Sequence, residues 1–306
     1  MEETIEFYGF RGNIIFPDQV TLFSLGFENK SKDKNQVFKK FFEDLKENEN
    51  SRVDSEYQKR RYYLIFINQY DSIIHCQLAR ERISDKYEMT KEKVIGTKDK
   101  DYPFINVFIE LETQKLLIEY KSTIFENHTT CGDVIQNIMN KYLKTIDATI
   151  NINPITEEQE FWEFFEDDNE VKNLNFNLTV PNLFDASDDA TNFLNDARDN
   201  VGASNVSLNF SNTEGKLRPN KEGIESFVKY TSAGGGKWRL TYKDKDGEVR
   251  KASSKQKNKK ICIKFFKDEI NQLDEDKIKL IRLEMQKIET IEKFKEKIDE
   301  KEDNDN

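Results

Sequence analysis

The sequence predicts an α+β protein in two parts, and three observations support this. The first 170 residues contain pairs of apolar strands joined by short polar turns, typical of antiparallel hairpins. From Val171, segments follow in the order β-α-β-α-β-β-β, which predicts helices packed on one face of a sheet in a sandwich-like domain. From about Asp268, apolar residues recur every three or four positions, as in an amphipathic helix. We therefore predict a mixed α/β domain at 1–170, an α+β domain at 171–267, and a helix with a polar tail at 268–306.

The N-terminal part is predicted to begin with a short strand, to contain two hairpins and two helices, and to end with a third, acidic helix at Thr156–Asp168. Alternating or continuous apolar residues identify the strands, and apolar residues at helical spacing identify the helices. Thr129 or Thr130 is the predicted N-cap of the second helix. In order, the elements are strand Glu6–Phe10, helix Lys34–Lys46, strands Arg61–Ile67, Ser72–Ile83, Phe104–Leu111 and Lys115–Lys121, a helix ending near Ile146, and strand Ala148–Asn153.

The C-terminal part is predicted from the same periodicities. Its elements are strand Asn173–Val180, helix Ser187–Val201, strand Asn205–Phe210, helix Asn220–Thr231, and strands Gly236–Tyr242, Glu248–Ala252 and Lys260–Phe265. The last helix has an apolar stripe from Ile278 to Ile298. This stripe predicts either packing on the same chain or a seam with a partner or a second copy, through residues 278–298.

Composition limits the class of protein. The chain has 306 residues, 36% of them hydrophobic and 35% charged, with a mean hydropathy of −0.82. The longest apolar run, Tyr62–Ile67, is far shorter than the roughly 20 residues that span a bilayer. The start of the chain is acidic and lacks the pattern of a signal peptide, and the three cysteines are widely spaced. We expect a cytoplasmic protein without a membrane partner.

The charge of the chain reverses between Lys237 and Lys267. This basic segment carries twelve Lys/Arg and three acids, a net charge of +9, whereas the whole chain carries −10. A basic surface in an acidic protein indicates an anionic partner. The residues that we predict to bind nucleic acid are Lys237, Arg239, Lys243, Arg250, Lys251, Lys255, Lys257, Lys259 and Lys260.

Strand alternation refines this prediction. Trp238 and Tyr242 fall on one face of a strand, and Lys237, Arg239 and Lys243 fall on the other. We therefore predict a non-enzymatic binding subunit without a cofactor, which engages nucleic acid or another polyanion mainly through phosphate contacts, with stacking on Trp238 or Tyr242 as the weaker part of the prediction. Two alternatives are a solvated basic face without a ligand and docking to an acidic protein.

A different class of function is a Mg²⁺-dependent nuclease. Glu119-Tyr120-Lys121 matches the pattern in which a carboxylate holds Mg²⁺ and a lysine steadies the attacking water. Asp101 is one candidate for the second carboxylate. A chain with 58 acids and 48 bases also forms such triplets by chance.

Other motifs are weaker. The acidic stretch Glu157–Glu170 predicts either a solvated helix face or a surface for a basic protein partner. Glycines 234–236 before Lys237 depart from the phosphate-loop pattern and indicate a helix end followed by a turn. His75-Cys76 with His128 and Cys131 would be a zinc set only if two adjacent strand residues faced the same way, so we predict no metal site.

Two stretches carry a resemblance to known sequences. Pro181-Asn182-Leu183-Phe184 between a strand and a helix, and Gly234-Gly235-Gly236-x-Trp238 with Ser253-Ser254 beyond, resemble uncharacterised bacterial proteins from phage-defence or prophage neighbourhoods. The resemblance covers roughly residues 100–265. It implies a role in antiviral defence and no particular catalytic residue.

Overall fold

The structure is a computed structural model, and it describes residues 2–16, 34–166, 169–180, 189–266, 270 and 273–302. The described residues form fourteen strands and six α-helices. The strands are β1 (Glu2–Ile15), β2 (Arg52–Tyr57), β3 (Arg60–Tyr70), β4 (Ile73–Arg80), β5 (Arg82–Met89), β6 (Val94–Asp101), β7 (Phe104–Glu110), β8 (Lys115–Glu119), β9 (Thr149–Pro154), β10 (Glu170–Thr179), β11 (Asn205–Ser211), β12 (Gly236–Lys243), β13 (Val249–Ser253) and β14 (Lys260–Phe266). The helices are α1 (Lys34–Glu47), α2 (His128–Leu143), α3 (Glu158–Glu166), α4 (Asp189–Val201), α5 (Lys221–Tyr230) and α6 (Glu275–Glu302).

The larger sheet is antiparallel, and its long strand β1 pairs with three others, β14, β8 and β9. Its order is β14-β1-β8-β7-β4-β3-β2, and β9 pairs with the C-terminal half of β1. Helices α1 and α2 cover one face with a core that includes Phe38, Phe42 and Ile135. Helix α6 covers the other face, where Ile281 and Met285 are buried. The sheet therefore lies between two helical layers.

The smaller sheet has the order β11-β10-β12-β13, and the described helices that pack on it all lie on one face. Helices α3, α4 and α5 pack on that face around a core containing Phe161, Phe176 and Trp238. Alternation along each strand sends apolar side chains to this covered face and polar side chains to the opposite one. A third unit, the β5–β6 hairpin, is a separate two-stranded ribbon.

The α+β class and most predicted elements are confirmed, with some corrections. The last predicted strand of the C-terminal domain, β14, pairs with β1 of the larger sheet instead of β13. Helix α2 begins at His128, earlier than predicted. Its N-cap is therefore Asn127 and not Thr129 or Thr130, and the Asn127 side chain accepts a hydrogen bond from the Thr130 amide. Strands β2, β5 and β6 lacked a clear apolar pattern and were not predicted.

Other predictions are open. Residues 181–184, 267 and 268 lie outside the described residues, and the domain boundaries at 170 and 267 stay a prediction. The first half of the α6 stripe is covered by the chain's own sheet, while a partner through 278–298 is untested. Among the described residues, no helix combines the length and apolar character needed to cross a membrane.

The two sheets are joined through the turn that links α5 to β12. The Gly234 carbonyl oxygen accepts hydrogen bonds from Asn13 Nδ2 on β1 (2.9 Å) and from Asn153 Nδ2 on β9 (3.2 Å). Gly234 has φ +86°, a conformation that favours glycine, and a Cβ atom there would lie 2.7 Å from the Arg11 Cβ. We call these two hydrogen bonds the Gly234 clamp. It orients β12 relative to β9.

Substituting Gly234 tests this junction. Because of the left-handed backbone and the contact with Arg11, we expect Gly234→Ala to lower the free energy of unfolding by about 1 to 3 kcal/mol. Urea denaturation measures the loss. The control is Gly223→Ala in α5, where a Cβ would meet nothing within 4 Å. The control should be neutral or stabilising by up to about 1 kcal/mol. A Gly234→Ala protein as stable as the control would contradict the assigned role.

Candidate nucleic-acid interface

The loop from β13 to β14 is held by ion pairs to other parts of the same chain. Lys255 Nζ lies 2.8 Å from Asp133 Oδ1 on α2. Lys257 pairs with Glu160 of the acidic helix α3, and Lys259 Nζ lies 3.4 Å from Glu157 Oε1 just before it. The basic loop and the acidic stretch, which the sequence indicated as surfaces for separate partners, are therefore joined to each other by two ion pairs.

Three more cations of the basic segment have carboxylate partners. Lys260 at the start of β14 pairs with Glu6 on β1. Arg250 Nε lies 2.5 Å from Asp244 Oδ2, and Lys243 Nζ lies 3.8 Å from Glu170 Oε2. Six of the nine predicted binding residues are thus engaged within the protein. Among the described residues, no carboxylate lies within salt-bridge distance of the other three, Lys237, Arg239 and Lys251.

These three cations share the face of the smaller sheet on which no described helix packs. The register pairs Arg239 of β12 with Ser253 of β13 and Thr241 with Lys251, so that Lys237, Arg239 and Lys251 point the same way. We define the polar face by the side chains that point in this direction; its one described acid is Glu170, which stands opposite Lys243 at the end far from Lys237 and pairs with it. The other members are Asn173, Asn175, Asn177, Thr179, Asn205, Ser207, Asn209, Ser211, Lys237, Arg239, Thr241, Lys243, Val249, Lys251 and Ser253.

A cleft of about 420 Å³ lies where the polar face meets β9 of the larger sheet. Five asparagines, one threonine and two cations line it: Asn151, Asn153, Asn175, Asn177, Thr179, Asn205, Lys237 and Arg239. Two of the asparagines are positioned by hydrogen bonds. Asn153 belongs to the Gly234 clamp, and Asn151 Nδ2 donates to Thr179 Oγ1 (3.1 Å) and to Asn205 Oδ1 (3.2 Å). The wall contributed by β9 is therefore held in place at both ends of the cleft.

The cleft also contains amides with no hydrogen bond to the described part of the protein. Asn177 is exposed and Asn175 is half-buried, and the strand register sets them opposite Lys237 and Arg239 respectively. Each such amide can donate and accept a hydrogen bond, whereas the neighbouring cation can only donate. Two amide–cation pairs are thus available to a ligand.

Lys237 is the most perturbed cation of the site. Burial lowers its pKa to about 8, and the charges of Lys255 and Arg239 act in the same direction while Asp133 opposes them. The lysine is charged at neutral pH but poorly compensated. An anion bound in the cleft would stabilise its charged form.

The rings of the basic segment are on the opposite face, as strand alternation predicted. Trp238 is 0% exposed and contacts Phe161 edge-to-face, with ring centroids 5.4 Å apart. Tyr242 packs against Phe164, with centroids 5.2 Å apart. These rings belong to the core under α3, so a ligand on the polar face meets no aromatic ring from β12.

The carboxylate of the nuclease triplet is buried and bonded to its own chain. Glu119 is 2% exposed, and its Oε2 accepts hydrogen bonds from the Asn106 backbone amide (2.8 Å) and side-chain amide (2.7 Å). Lys121 Nζ lies 2.9 Å from Glu119 Oε1, while Asp101 pairs with Arg82 on the β5–β6 hairpin. Glu119 is thus saturated by its own chain. Across the described residues, no group of three or more His, Cys, Asp or Glu side chains is arranged to hold a metal ion.

The other residues singled out in the sequence, His75, Cys76, Cys131 and glycines 234–236, are buried inside the protein. His75 Nε2 lies 2.9 Å from Asn106 Oδ1, and burial lowers the pKa of this histidine. Burial raises the thiol pKa of both Cys76 and Cys131. The glycines before Lys237 permit close packing, because a Cβ at Gly235 would overlap the Tyr230 ring and one at Gly236 would overlap the Asn177 carbonyl oxygen.

The asparagines of the cleft were missed at the sequence level, although a signal was present. In Asn173–Thr179 and in Asn205–Ser211, asparagine, serine or threonine occupies every second position. That alternation predicts two strands with an uncharged polar face. Because amides carry no charge, these asparagines do not contribute to the charge pattern that indicated the basic segment.

Residues 27–282 match the model of a protein family described as a domain of unknown function (DUF4747). No curated protein and no solved structure matches the chain. The family match covers most of the chain, including the residues that line the cleft and every described strand except β1. The chain therefore belongs to the DUF4747 family.

Proposed function

We propose that this protein is a non-enzymatic binding subunit that holds nucleic acid on the polar face of its smaller sheet. The observation that carries the proposal is the set of Lys237, Arg239 and Lys251, three cations without a described carboxylate partner on a face whose one described acid, Glu170, already pairs with Lys243. The chain as a whole carries −10, so a face on which cations outnumber acids is a local exception. A phosphate backbone is the ligand that compensates such a row of positive charge.

Binding would combine two kinds of contact. Lys237, Arg239 and Lys251 neutralise phosphates and release the counterions condensed on them, which favours association at low salt. The amides of Asn175 and Asn177 add hydrogen bonds to sugars or base edges. Lys255, Lys257 and Lys259 hold the loop from β13 to β14 in place, and the carboxylates that pair with them already supply the opposite charge.

The proposal extends to location and biological role. We place the protein in the cytoplasm, where nucleic acid is accessible to it. The resemblance to proteins of phage-defence neighbourhoods supports a role in antiviral defence. A comparison of phage plaque formation on cells with and without the intact polar face tests that role.

The Mg²⁺-dependent nuclease and the protein-interaction component are the competing proposals. A nuclease requires Glu119 to leave its bonds to Asn106 and Lys121 before it can bind a metal. A protein partner has to compete with Lys257 and Lys259 for the acidic helix, or bind α6 beyond Ile288, which packs against the core of the larger sheet. Metal-dependent cleavage of plasmid or RNA, compared with and without a chelator, tests the nuclease. Co-purification of a stoichiometric protein partner tests the protein-interaction component.

Removing the unpaired cations should weaken binding. For the triple variant Lys237→Gln, Arg239→Gln and Lys251→Gln, we expect the affinity for a fluorescent oligonucleotide to fall by at least tenfold. The slope of log K against log salt should shrink by about 2, because each phosphate contact on a single strand contributes about 0.7. Fluorescence anisotropy across a salt series measures both.

The matched control is Lys91→Gln, Lys93→Gln and Lys98→Gln. It makes the same change in net charge on the β5–β6 hairpin, where these side chains are exposed. The control should bind as the parent does. Equal losses in the two triple variants would reduce the effect to net charge and contradict the proposed site.

The lowered pKa of Lys237 predicts a pH dependence. The Lys237 side chain is mostly neutral at pH 9, since its pKa is about 8. Binding of a phosphate favours the charged form and raises this pKa, so affinity should fall as the pH rises from 7 to 9. The loss attributable to Lys237 should approach about tenfold, because about a tenth of the side chain is charged one unit above its pKa.

Lys237→Arg separates this effect from the other groups. An arginine stays charged throughout this range, so the variant should lose much less affinity at pH 9 than the parent. Anisotropy titrations at the two pH values provide the comparison. The same pH dependence in both proteins would contradict a role for Lys237 in holding phosphate.

A further inference from the structure

The polar face has features that favour single-stranded over double-stranded nucleic acid. This inference rests on the proposed function. The cleft is a space of about 420 Å³ between β9 and the polar face, and Lys237 lies half-buried within it. A duplex presents its phosphates on the outside of a stiff, convex cylinder. Such a cylinder can touch the exposed Arg239 and Lys251 but cannot enter a cleft of about 420 Å³ to reach Lys237. A single strand is thin and flexible enough to enter.

The unpartnered amides point to the same class of ligand. Asn177 stands opposite Lys237 and Asn175 opposite Arg239, so that each cation has an amide beside it. In a duplex, the Watson–Crick edges of the bases are occupied by pairing, whereas a single strand leaves them free. An asparagine amide, with its donor and acceptor, can make paired hydrogen bonds to such an edge.

The spacing of the two amide–cation pairs fits a strand that runs along β10 and β12. The pairs are two residues apart on the same face, which corresponds to about 6.8 Å in an antiparallel sheet. An extended single strand can place successive phosphates at a comparable separation. Thr241 and Lys251 continue the same face beyond Arg239, and Asn151 and Asn205 lie at the opposite end.

We infer that the polar face is a track for single-stranded nucleic acid, with its inner end in the cleft at Lys237 and Asn177. Phosphates contact Lys237, Arg239 and Lys251, and the amides of Asn175 and Asn177 contact base edges or sugars. Because Trp238 is on the buried face, the track holds its ligand without stacking a base on that ring. The affinity should therefore not depend on stacking of a base on Trp238. It should depend on hydrogen bonds from the amides of Asn175 and Asn177.

The test compares three fluorescent probes of one mixed sequence and of about 12 nucleotides, within the range of known single-strand sites. They are single-stranded DNA, single-stranded RNA and the DNA duplex. For the full chain, we expect both single strands to bind at least tenfold more tightly than the duplex. A difference between the DNA and RNA strands identifies which sugar the amides favour.

The double variant Asn175→Ala and Asn177→Ala isolates the amides. We expect a loss of about tenfold in single-strand affinity, as for two modest hydrogen bonds, with an unchanged salt slope and unchanged duplex affinity. The control is Asn192→Ala and Asn200→Ala on α4, which are exposed and lie on the helix side of the sheet. This control should bind all three probes as the parent does.

The possible failures are distinguishable. If the parent binds none of the three probes, the proposed function is wrong and the track falls with it. If the cation triple variant loses binding but the duplex binds as tightly as the single strands, the proposed function stands and the track is wrong. An asparagine double variant that binds single strands like the parent would likewise overturn the track. Thermal unfolding of each variant verifies that it is folded.

Discussion

The Gly234 clamp is the interaction on which the candidate site depends. Asn13 and Asn153 come from the larger sheet, and the carbonyl oxygen that they share belongs to the turn that leads into β12 of the smaller sheet. A buried carbonyl without partners would cost free energy, so the two sheets are favoured in the one arrangement that satisfies it. Because Asn153 also lines the cleft, the same hydrogen bonds that join the sheets set the distance between the β9 wall and Lys237.

The charge of this protein is organised by compensation within the chain. Lys255, Lys257, Lys259 and Lys260 pair with acids from α2, the start of α3 and β1, up to 254 positions away in sequence. Exposed pairs of this kind contribute little to stability, about 0 to 1 kcal/mol each, but they consume the charge that a ligand would otherwise meet. The cations that remain for an external anion are Lys237, Arg239 and Lys251 on the polar face.

Local patterns predicted the elements well and their assembly poorly. The alternation in Lys237–Tyr242 placed Trp238 in the core, and the apolar spacing in Lys34–Lys46 predicted α1, because both depend on neighbours in sequence. The pairing of β14 with β1 and of Lys255 with Asp133 joins residues far apart in the chain, which no local pattern reveals. The free amides of Asn175 and Asn177 were visible as an alternation, but only the packing identified which face they occupy.

The central claim is that the ligand contacts the polar face and leaves the paired loop untouched. Lysine acetylation followed by mass spectrometry, with and without a single-stranded oligonucleotide, tests this residue by residue on the unmodified sequence. Our account predicts that the oligonucleotide protects Lys237 and Lys251, while Lys255, Lys257 and Lys259 react to the same extent in both samples. Protection of the three loop lysines with Lys237 and Lys251 unprotected would contradict it.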